Sequence, residues 1–180
     1  CTLFFYLCAE QGVIGWMITY FKDTGFLNPS LAQVTASVLW IMILAGRLTT
    51  AYLTTKVEKE KLLPVMGAGL VGFFVLLLLS RTTFWIMVGI MGFGYSMAGI
   101  YPTTVSFSGR LIQKYPLSWS FVLTTASFGS ILMPSVIGRI AADAGIFYGM
   151  ASIAAAIVVD IVFIMALVVF VSKHKAGPGV

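Results

Sequence analysis

Six long apolar runs, each long enough to cross a lipid bilayer, dominate this sequence of 180 residues. A helix needs roughly 20 mainly apolar residues to span the hydrocarbon core of a membrane. The runs cover approximately residues 2–21, 31–55, 62–80, 83–107, 117–142 and 146–171. Short polar turns separate them, and the period-two alternation that membrane strands need is absent. The sequence therefore predicts an all-α membrane protein with six transmembrane helices.

The composition excludes a water-soluble domain of this length. Hydrophobic residues make up 59% of the chain and charged residues only 9%, whereas a soluble domain carries about 25% charged residues. The net charge of +5 comes from short basic clusters between apolar runs, so we expect a lipid bilayer and not nucleic acid as the partner. The single histidine, His174, lies in the C-terminal tail, and no phosphate-binding loop is present. We therefore predict no enzymatic activity, no cofactor and no metal site.

Lysine and arginine are unevenly distributed between the two ends of the predicted bundle, which sets the orientation in the membrane. One end carries seven of them: Lys56, Lys59, Lys61, Arg110, Lys114, Lys173 and Lys175. The other end carries three: Lys22, Arg81 and Arg139. This bias predicts a plasma (inner) membrane protein with both termini, including a tail over 173–180, in the cytoplasm. The first residue is not Met and lies inside an apolar run, which predicts a fragment of a longer protein.

Two Gly-Arg pairs suggest that the six helices form two triplets of opposite orientation. Gly46-Arg47 lies late in the second helix, and Gly138-Arg139 lies late in the fifth. The first pair approaches the cytoplasmic side and the second the external side, as an inverted-topology repeat requires. Coincidence is the alternative interpretation. The two predicted three-helix repeats cover about residues 1–80 and 83–172.

Four motifs along the chain carry a family resemblance. They are Gly46-Arg47-Leu48-x-x-Ala51-x-Leu53-x-Thr55-Lys56, Gly129-x-x-x-x-Pro134-x-x-x-Gly138-x-x-x-x-Asp143-x-Gly145, Gly99-Ile100-Tyr101-Pro102-Thr103 and Ala9-Glu10-Gln11-x-x-x-Gly15-Trp16-x-x-x-Tyr20. The first resembles the loop motif of the major facilitator superfamily, and the next two resemble helices of its C-terminal six-helix half. The fourth is similar to a helix of the sugar porters, including the fucose–proton symporter group. Two departures stand in the loop motif, where the family usually has glycine in place of Ala51 and an acidic residue in place of Thr55.

The resemblance implies half of a secondary active transporter. Such a half lines a central cavity and moves a small polar solute, a sugar above all, by alternating access with proton coupling. It implies that the missing N-terminal six-helix half, or a second copy of this chain, is the partner, and that the ligands are the solute and a proton or other ion. The departure at Thr55 removes the acidic partner that the family uses to latch the cytoplasmic side. A channel or a membrane scaffold that does not transport is the alternative.

Three charged residues lie deep in the predicted spans, where charge is costly and marks functional sites. Glu10 and Asp160 lie near the middle of the first and sixth helices, and Arg47 lies a little closer to the cytoplasm. At about 1.5 Å of rise per residue, their depths differ by roughly 6–8 Å, so Arg47 can pair with either carboxylate. A structural ion pair is therefore the alternative to our prediction that Glu10 and Asp160 couple proton movement.

Aromatic and polar side chains complete the predicted sites, since aromatic faces with a polar group suit sugars. The predicted solute-binding residues are Glu10, Gln11, Trp16, Trp40, Tyr95 and Tyr101. Whether Trp40, Tyr95 and Tyr101 face the cavity or the core is open at this stage. The predicted gating residues are Gly46, Arg47, Lys56, Arg139 and Asp143. Arg139 and Asp143 are four residues apart and can pair along one helix face.

Overall fold

A computed structural model describes residues 1–107, 109 and 115–175. The helices are α1 (Thr2–Asp23), α2 (Pro29–Leu53), α3 (Lys59–Leu79), α4 (Thr83–Ala98), α5 (Ile100–Phe107), α6 (Pro116–Ala144) and α7 (Ile146–Lys175). Each of the six apolar runs is helical, and the regular structure of the described residues is all helix, which confirms the predicted all-α class. Arg110, Lys114, residues 176–180 and the side chains of His174 and Lys175 lie outside the described residues.

Five helical segments of the described chain are long and apolar enough to cross a membrane. They are Pro29–Leu53, Lys59–Leu79, Thr83–Phe107, Leu117–Ala144 and Ile146–Lys173. The protein is therefore an integral membrane protein. α1 has a similar length, 22 residues, but the polar pair Glu10-Gln11 near its centre lowers its hydropathy. That α1 also crosses the membrane stays a prediction.

Glycine and proline fix several helix ends. Pro29 and Pro116 begin α2 and α6, where the missing N–H of proline removes no helical hydrogen bond. The turns after α1 and α6 contain Gly25 with φ +66° and Gly145 with φ +99°. Residues with a Cβ atom rarely adopt such backbone angles, so glycine is required there. Both turns lie between apolar runs, as the sequence predicts.

The third helix begins earlier than its apolar run. α3 starts at Lys59 and not at residue 62, where its apolar run begins, so Pro64 lies inside the helix and not in its first turn. The added turn is polar, and Lys61 Nζ lies 3.0 Å from Glu58 Oε2 in an exposed ion pair. Lysine and glutamate are good helix formers, so the helix continues beyond the apolar segment that defined the prediction.

The fourth membrane segment is interrupted at Gly99, between α4 and α5. Pro102 has no N–H, so the carbonyl of Ala98 loses its helical partner at this point. The ladder resumes where the N–H of Thr103 donates to the Gly99 carbonyl at 3.1 Å. The interruption lies one turn before Pro102. α6, in contrast, continues through Pro134 without a break.

The first helix of each predicted triplet packs mainly against helices of the other triplet. α1 packs most closely against α6 and α7, α4 packs against α2 and α3, and α3 contacts α7. Fully buried side chains such as Val13, Leu70, Ile90 and Ile153 fill the centre. α2 packs mainly on α4 and only lightly on α1. Much of α2 is therefore exposed on this chain.

Candidate functional site

Glu10 is buried in the middle of α1, with 7% of its surface exposed. Tyr6 lies one turn earlier and donates a hydrogen bond from its hydroxyl to Glu10 Oε1 at 3.2 Å. The Tyr6 ring packs against the Tyr101 ring of α5, with ring centroids 6.0 Å apart. The carboxyl group is thus held by a partner on its own helix, and an aromatic contact connects that partner to α5.

Arg47 lies on the exposed side of α2 and lines an open cleft of about 320 Å³. Tyr101 lines the same cleft, so it connects the Tyr6–Glu10 pair with the surroundings of Arg47. Within the described residues, Arg47 forms no ion pair with Glu10 or with Asp160. The ion-pair alternative is therefore not realised here, because both carboxyl groups are buried while the arginine is exposed.

Asp160 is completely buried in α7. Neither of its carboxyl oxygens has a hydrogen-bond partner among the described residues. The residues around it face neighbouring helices, since the Phe163 ring stacks on Phe5 of α1 at 5.8 Å and Ile161 packs beside Gly67 of α3. A buried polar group without a partner costs about 1–3 kcal/mol. Packing alone gives no reason for a carboxyl group at this position.

Trp16 forms a contact between α1 and α6. Its indole Nε1–H donates to the Pro134 carbonyl at 3.0 Å. A Cβ atom placed on Gly138 would lie 3.0 Å from the indole ring, so the ring and this glycine are in close contact. Trp16 therefore has a partner inside the protein, and its role in solute binding stays a prediction.

Two exposed faces run along α2. Residues spaced alternately by four and three lie on the first: Gln33, Ser37, Trp40, Leu44 and Arg47. The second is apolar: Val34, Ile41, Leu48 and Tyr52. Such spacings place each set on one side of a helix. α2 therefore carries one more polar exposed face and one apolar exposed face that suits contact with lipid.

Two of the four remaining predicted solute-binding residues lie at the surface of this chain. Trp40 on α2 is 50% exposed, and Tyr95 on the adjacent α4 is 38% exposed. Gln11 of α1 and Tyr101 of α5 are partly buried. The structure thus places Trp40 and Tyr95 outside the core and joins Tyr101 to Glu10 through Tyr6.

The predicted gating residues are dispersed. The Lys56 ammonium lies 4.6 Å from the centroid of the Tyr52 ring, a cation–π contact. Arg139 and Asp143 are both exposed near the end of α6. These two form no ion pair in the part of the chain that the structure describes. The gating roles of all five residues stay predictions.

Three residues of these sites were not predicted as site residues from the sequence: Tyr6, Thr50 and Thr103. Tyr6 precedes Glu10 by four residues, and this spacing on a helix is a signal that predicts contact. Thr50 and Thr103 line the Arg47 cleft, but they are 53 residues apart in the sequence. No local pattern connects them, since only the packing of the helices brings them to one place.

Gly46→Ala is expected to destabilise the bundle at the crossing of α2 and α4. A Cβ atom on Gly46 would lie 2.7 Å from the Tyr95 carbonyl oxygen and 2.7 Å from the Ala98 Cβ. Both are firmly held, so the two helices must separate, and overpacking of this kind costs about 1–3 kcal/mol. The measurement is the unfolding midpoint of the purified protein in mixed micelles titrated with sodium dodecyl sulfate.

Gly72→Ala is the matched control, because a Cβ atom at this α3 position would meet nothing within 4 Å. Alanine is the better helix former, so the control is expected to gain about 0.5–1 kcal/mol or to remain unchanged. Equal midpoints for the two variants would contradict the close approach of α2 and α4.

Comparison with known proteins gives distant relatives, and no protein family model matches the chain. The chain is 25% identical over 174 residues to the Protein TsgA homolog of Yersinia pseudotuberculosis serotype O:1b (strain IP 31758), an alignment that covers 95% of this chain and 43% of that protein. It is 26% identical over 176 residues to the homolog of Erwinia tasmaniensis, covering 94% and 43%. With Protein TsgA of Salmonella typhi it shares 25% over 173 residues, covering 94% and 43%. The chain therefore spans less than half the length of the curated relatives it matches.

Proposed function

We propose that this chain is the C-terminal six-helix half of a secondary transporter of the major facilitator superfamily, which moves a small polar solute by alternating access. The observation that carries the proposal is the exchange of packing partners. α1 packs on the second and third helices of the other triplet, α6 and α7, while α4 packs on α2 and α3. Two inverted repeats related by an axis in the membrane plane produce this reciprocal pattern.

The two Gly-Arg pairs give further support to the inverted repeat. Gly46 lies against the Tyr95 backbone of α4, and Gly138 lies against the Trp16 ring of α1. In each case, a glycine on the second helix of one triplet meets the first helix of the other. Small residues at such crossings let helices approach closely in lipid.

The more polar face of α2 supports a cavity shared with the rest of a longer protein. Gln33, Ser37 and Arg47 are exposed on this face, and such side chains are unfavourable against lipid. The curated relatives are more than twice as long as the matched segment. We propose that this face borders a central cavity whose other wall is an N-terminal six-helix half or a second copy of this chain.

The solute in this proposal is a small polar molecule, with a sugar as the leading candidate. Trp40 and Tyr95 supply exposed aromatic surface on adjacent helices, which suits a sugar ring. Glu10 and Asp160 supply the carboxyl groups for proton coupling, and Tyr101 connects the Glu10–Tyr6 pair to the Arg47 cleft. The proposed activity involves no covalent chemistry and no cofactor.

Transport by the full-length protein in proteoliposomes tests the proposal. Radiolabelled L-fucose, D-glucose and other monosaccharides are added outside with an inward proton gradient, and internal label is counted. A gradient of about one pH unit supplies about 1.4 kcal/mol, enough for about tenfold accumulation with one proton per solute. We expect accumulation of that order for at least one sugar and its collapse on adding a protonophore.

Protein-free liposomes and liposomes without a gradient are the controls. Saturable uptake that only equilibrates the sugar, whether or not a proton gradient is present, would contradict proton coupling. It would still support a transporter. A steady ion conductance without saturable uptake would favour the channel alternative.

A further inference from the structure

α5 is a separate short helix of eight residues at the end of the fourth membrane segment. It follows the interruption at Gly99 and packs on α1, α3 and α4. Its buried hydroxyl groups, on Thr103 and Thr104, have no hydrogen-bond partner within the described residues, and the Ser106 hydroxyl donates to the Thr103 carbonyl of the same helix at 2.7 Å. No side-chain hydrogen bond of the described residues therefore joins α5 to a neighbouring helix, so packing alone holds it against them.

The junction at Gly99 combines close packing with a missing helical hydrogen bond. A Cβ atom on Gly99 would meet Thr50 of α2 and Met66 of α3, so the chain is firmly held at this residue. Pro102 has no N–H to donate to the Ala98 carbonyl, so a change in the angle between α4 and α5 breaks no hydrogen bond at that carbonyl. Gly99 is thus a fixed point about which α5 can turn.

Tyr101 lies directly after this junction and connects two parts of the site. Its ring packs on the Tyr6 ring of α1, with centroids 6.0 Å apart and planes at 47°, and the Tyr6 hydroxyl donates to Glu10 Oε1 at 3.2 Å. Tyr101 also lines the Arg47 cleft of about 320 Å³, whose walls come from α2, the start of α3 and α5. A turn of α5 therefore changes the width of this cleft.

The protonation state of Glu10 changes the hydrogen bond that sets the position of Tyr6. Hydrogen bonds from a hydroxyl to an ionised carboxylate are about 2.5–2.7 Å long. The observed distance is 3.2 Å, so ionisation of Glu10 draws the Tyr6 hydroxyl closer by about 0.5–0.7 Å. Tyr6 is 1% exposed, and closely packed side chains transmit such small shifts to their neighbours.

Other ionisable groups lie on the helices packed around Glu10. They are Tyr6, Cys8, Arg47, Tyr101 and Asp160. The charge of Arg47 acts on Glu10, whereas the charge of Asp160 acts on Tyr6 and on Cys8. α6 carries Arg139 and Asp143, but these follow Gly138, which packs on Trp16 at a distance from Glu10 along α1. A test must therefore separate Glu10 from Asp160.

We infer that Tyr101 is a positioning residue, which links the protonation of Glu10 to the width of the Arg47 cleft by turning α5 about Gly99. The inference rests on the proposed function in taking Glu10 as a proton site. It goes further because it assigns α5 as the moving part and the Tyr6–Tyr101 ring contact as the connection. The ring of Tyr101 thus has a role that needs no solute.

The test measures the width of the cleft by pulsed electron paramagnetic resonance on the full-length protein in lipid nanodiscs without solute. Spin labels are attached through Thr54→Cys and Ser106→Cys, two positions that line the cleft, after the native cysteines have been replaced. We expect the mean distance between the labels to change by about 2 Å or more between acidic and alkaline pH. This change should disappear in Glu10→Gln and persist in Asp160→Asn. A distance that ignores pH, or a response that depends on Asp160 and not on Glu10, would overturn the inference.

Variants of Tyr101 locate the contact. Tyr101→Leu removes the ring and is expected to abolish the response to pH, whereas Tyr101→Phe keeps the ring and should retain it. Val105→Ala is the matched control, because it shortens a half-buried side chain of α5 that has no part in the ring contact. A normal response in Tyr101→Leu, or an equal loss in Val105→Ala, contradicts the role of Tyr101.

Tyr6→Leu breaks the same contact from α1, so it decides the question even if Tyr101→Leu does not fold. A response retained in Tyr6→Leu overturns the inference. The distance is measured without solute, which keeps the result apart from the uptake assay. Proton-driven sugar accumulation without a response of the cleft to pH overturns this inference and leaves the proposed function standing. A response that depends on Glu10 and Tyr101, in a protein without uptake, supports the inference and contradicts the proposed function.

Discussion

If the proposed transport function holds, Glu10→Gln in the full-length protein is expected to abolish gradient-driven accumulation of solute, while solute binding or exchange partly survives. Glutamine keeps the shape and an oxygen that can accept the 3.2 Å hydrogen bond from Tyr6, but it removes the group that takes up and releases a proton. Coupling requires states that differ in charge, since a ligand shifts only those equilibria whose states it distinguishes. Accumulation under a proton gradient and exchange at equal concentrations are measured on the same proteoliposomes.

Tyr6→Phe separates the hydrogen bond from the titrating group. Phenylalanine keeps the ring beside Tyr101 and removes the hydroxyl that donates to Glu10. A hydrogen bond to a charged group contributes about 1.5–3 kcal/mol, so accumulation should weaken and yet still follow the gradient.

Wild-type accumulation with its normal pH dependence in Glu10→Gln would reduce Glu10 to a structural residue. Loss of the folded protein in that variant would likewise support a structural role.

The helices were predictable because the bilayer sets their length. Every apolar run of about 20 residues is helical, and the boundaries differ by only a few residues from those observed. The larger errors lie where polar turns extend a helix, as at Lys59, since water and headgroups tolerate such residues beyond the apolar segment. Gly145 and Pro29 lie at turns because their backbone preferences act locally.

The candidate site was predictable in depth but not in lateral position. Counting residues along a helix gives the depth of Arg47 and Glu10, but not the direction in which either side chain points across the bundle. The sequence therefore gives no evidence on whether these two side chains pair, and Glu10 is bonded to Tyr6 instead. Trp16 is a similar case, because its hydrogen bond reaches Pro134, 118 residues away. Such contacts depend on tertiary packing, which a single sequence does not reveal.

Asp160→Asn is expected to reduce gradient-driven accumulation by more than about tenfold, a change of about 1.4 kcal/mol, without reducing the stability of the fold. The carboxyl group of Asp160 is fully buried and has no hydrogen-bond partner in the described part of the chain. The stability of the fold therefore changes little when an uncharged group of the same shape replaces this carboxyl group. A proton-coupled cycle, in contrast, loses a titrating site. Accumulation in proteoliposomes and the unfolding midpoint in detergent are measured on one preparation.

Ser152→Ala is the matched control on the same helix. The Ser152 hydroxyl donates to the Gly149 carbonyl at 2.6 Å, so it is a satisfied polar group on α7 with no proposed part in coupling. We expect normal accumulation in this variant. Wild-type accumulation in Asp160→Asn would remove Asp160 from the coupling mechanism and leave Glu10 as the proposed proton site. A large loss of stability would show instead that the carboxyl group holds α7 against its neighbours. Reduced accumulation with an unchanged unfolding midpoint in Asp160→Asn is therefore the result that separates a role in coupling from a role in packing. A buried carboxyl group without a hydrogen-bond partner does not stabilise the fold, so packing gives no reason for an acid at this position.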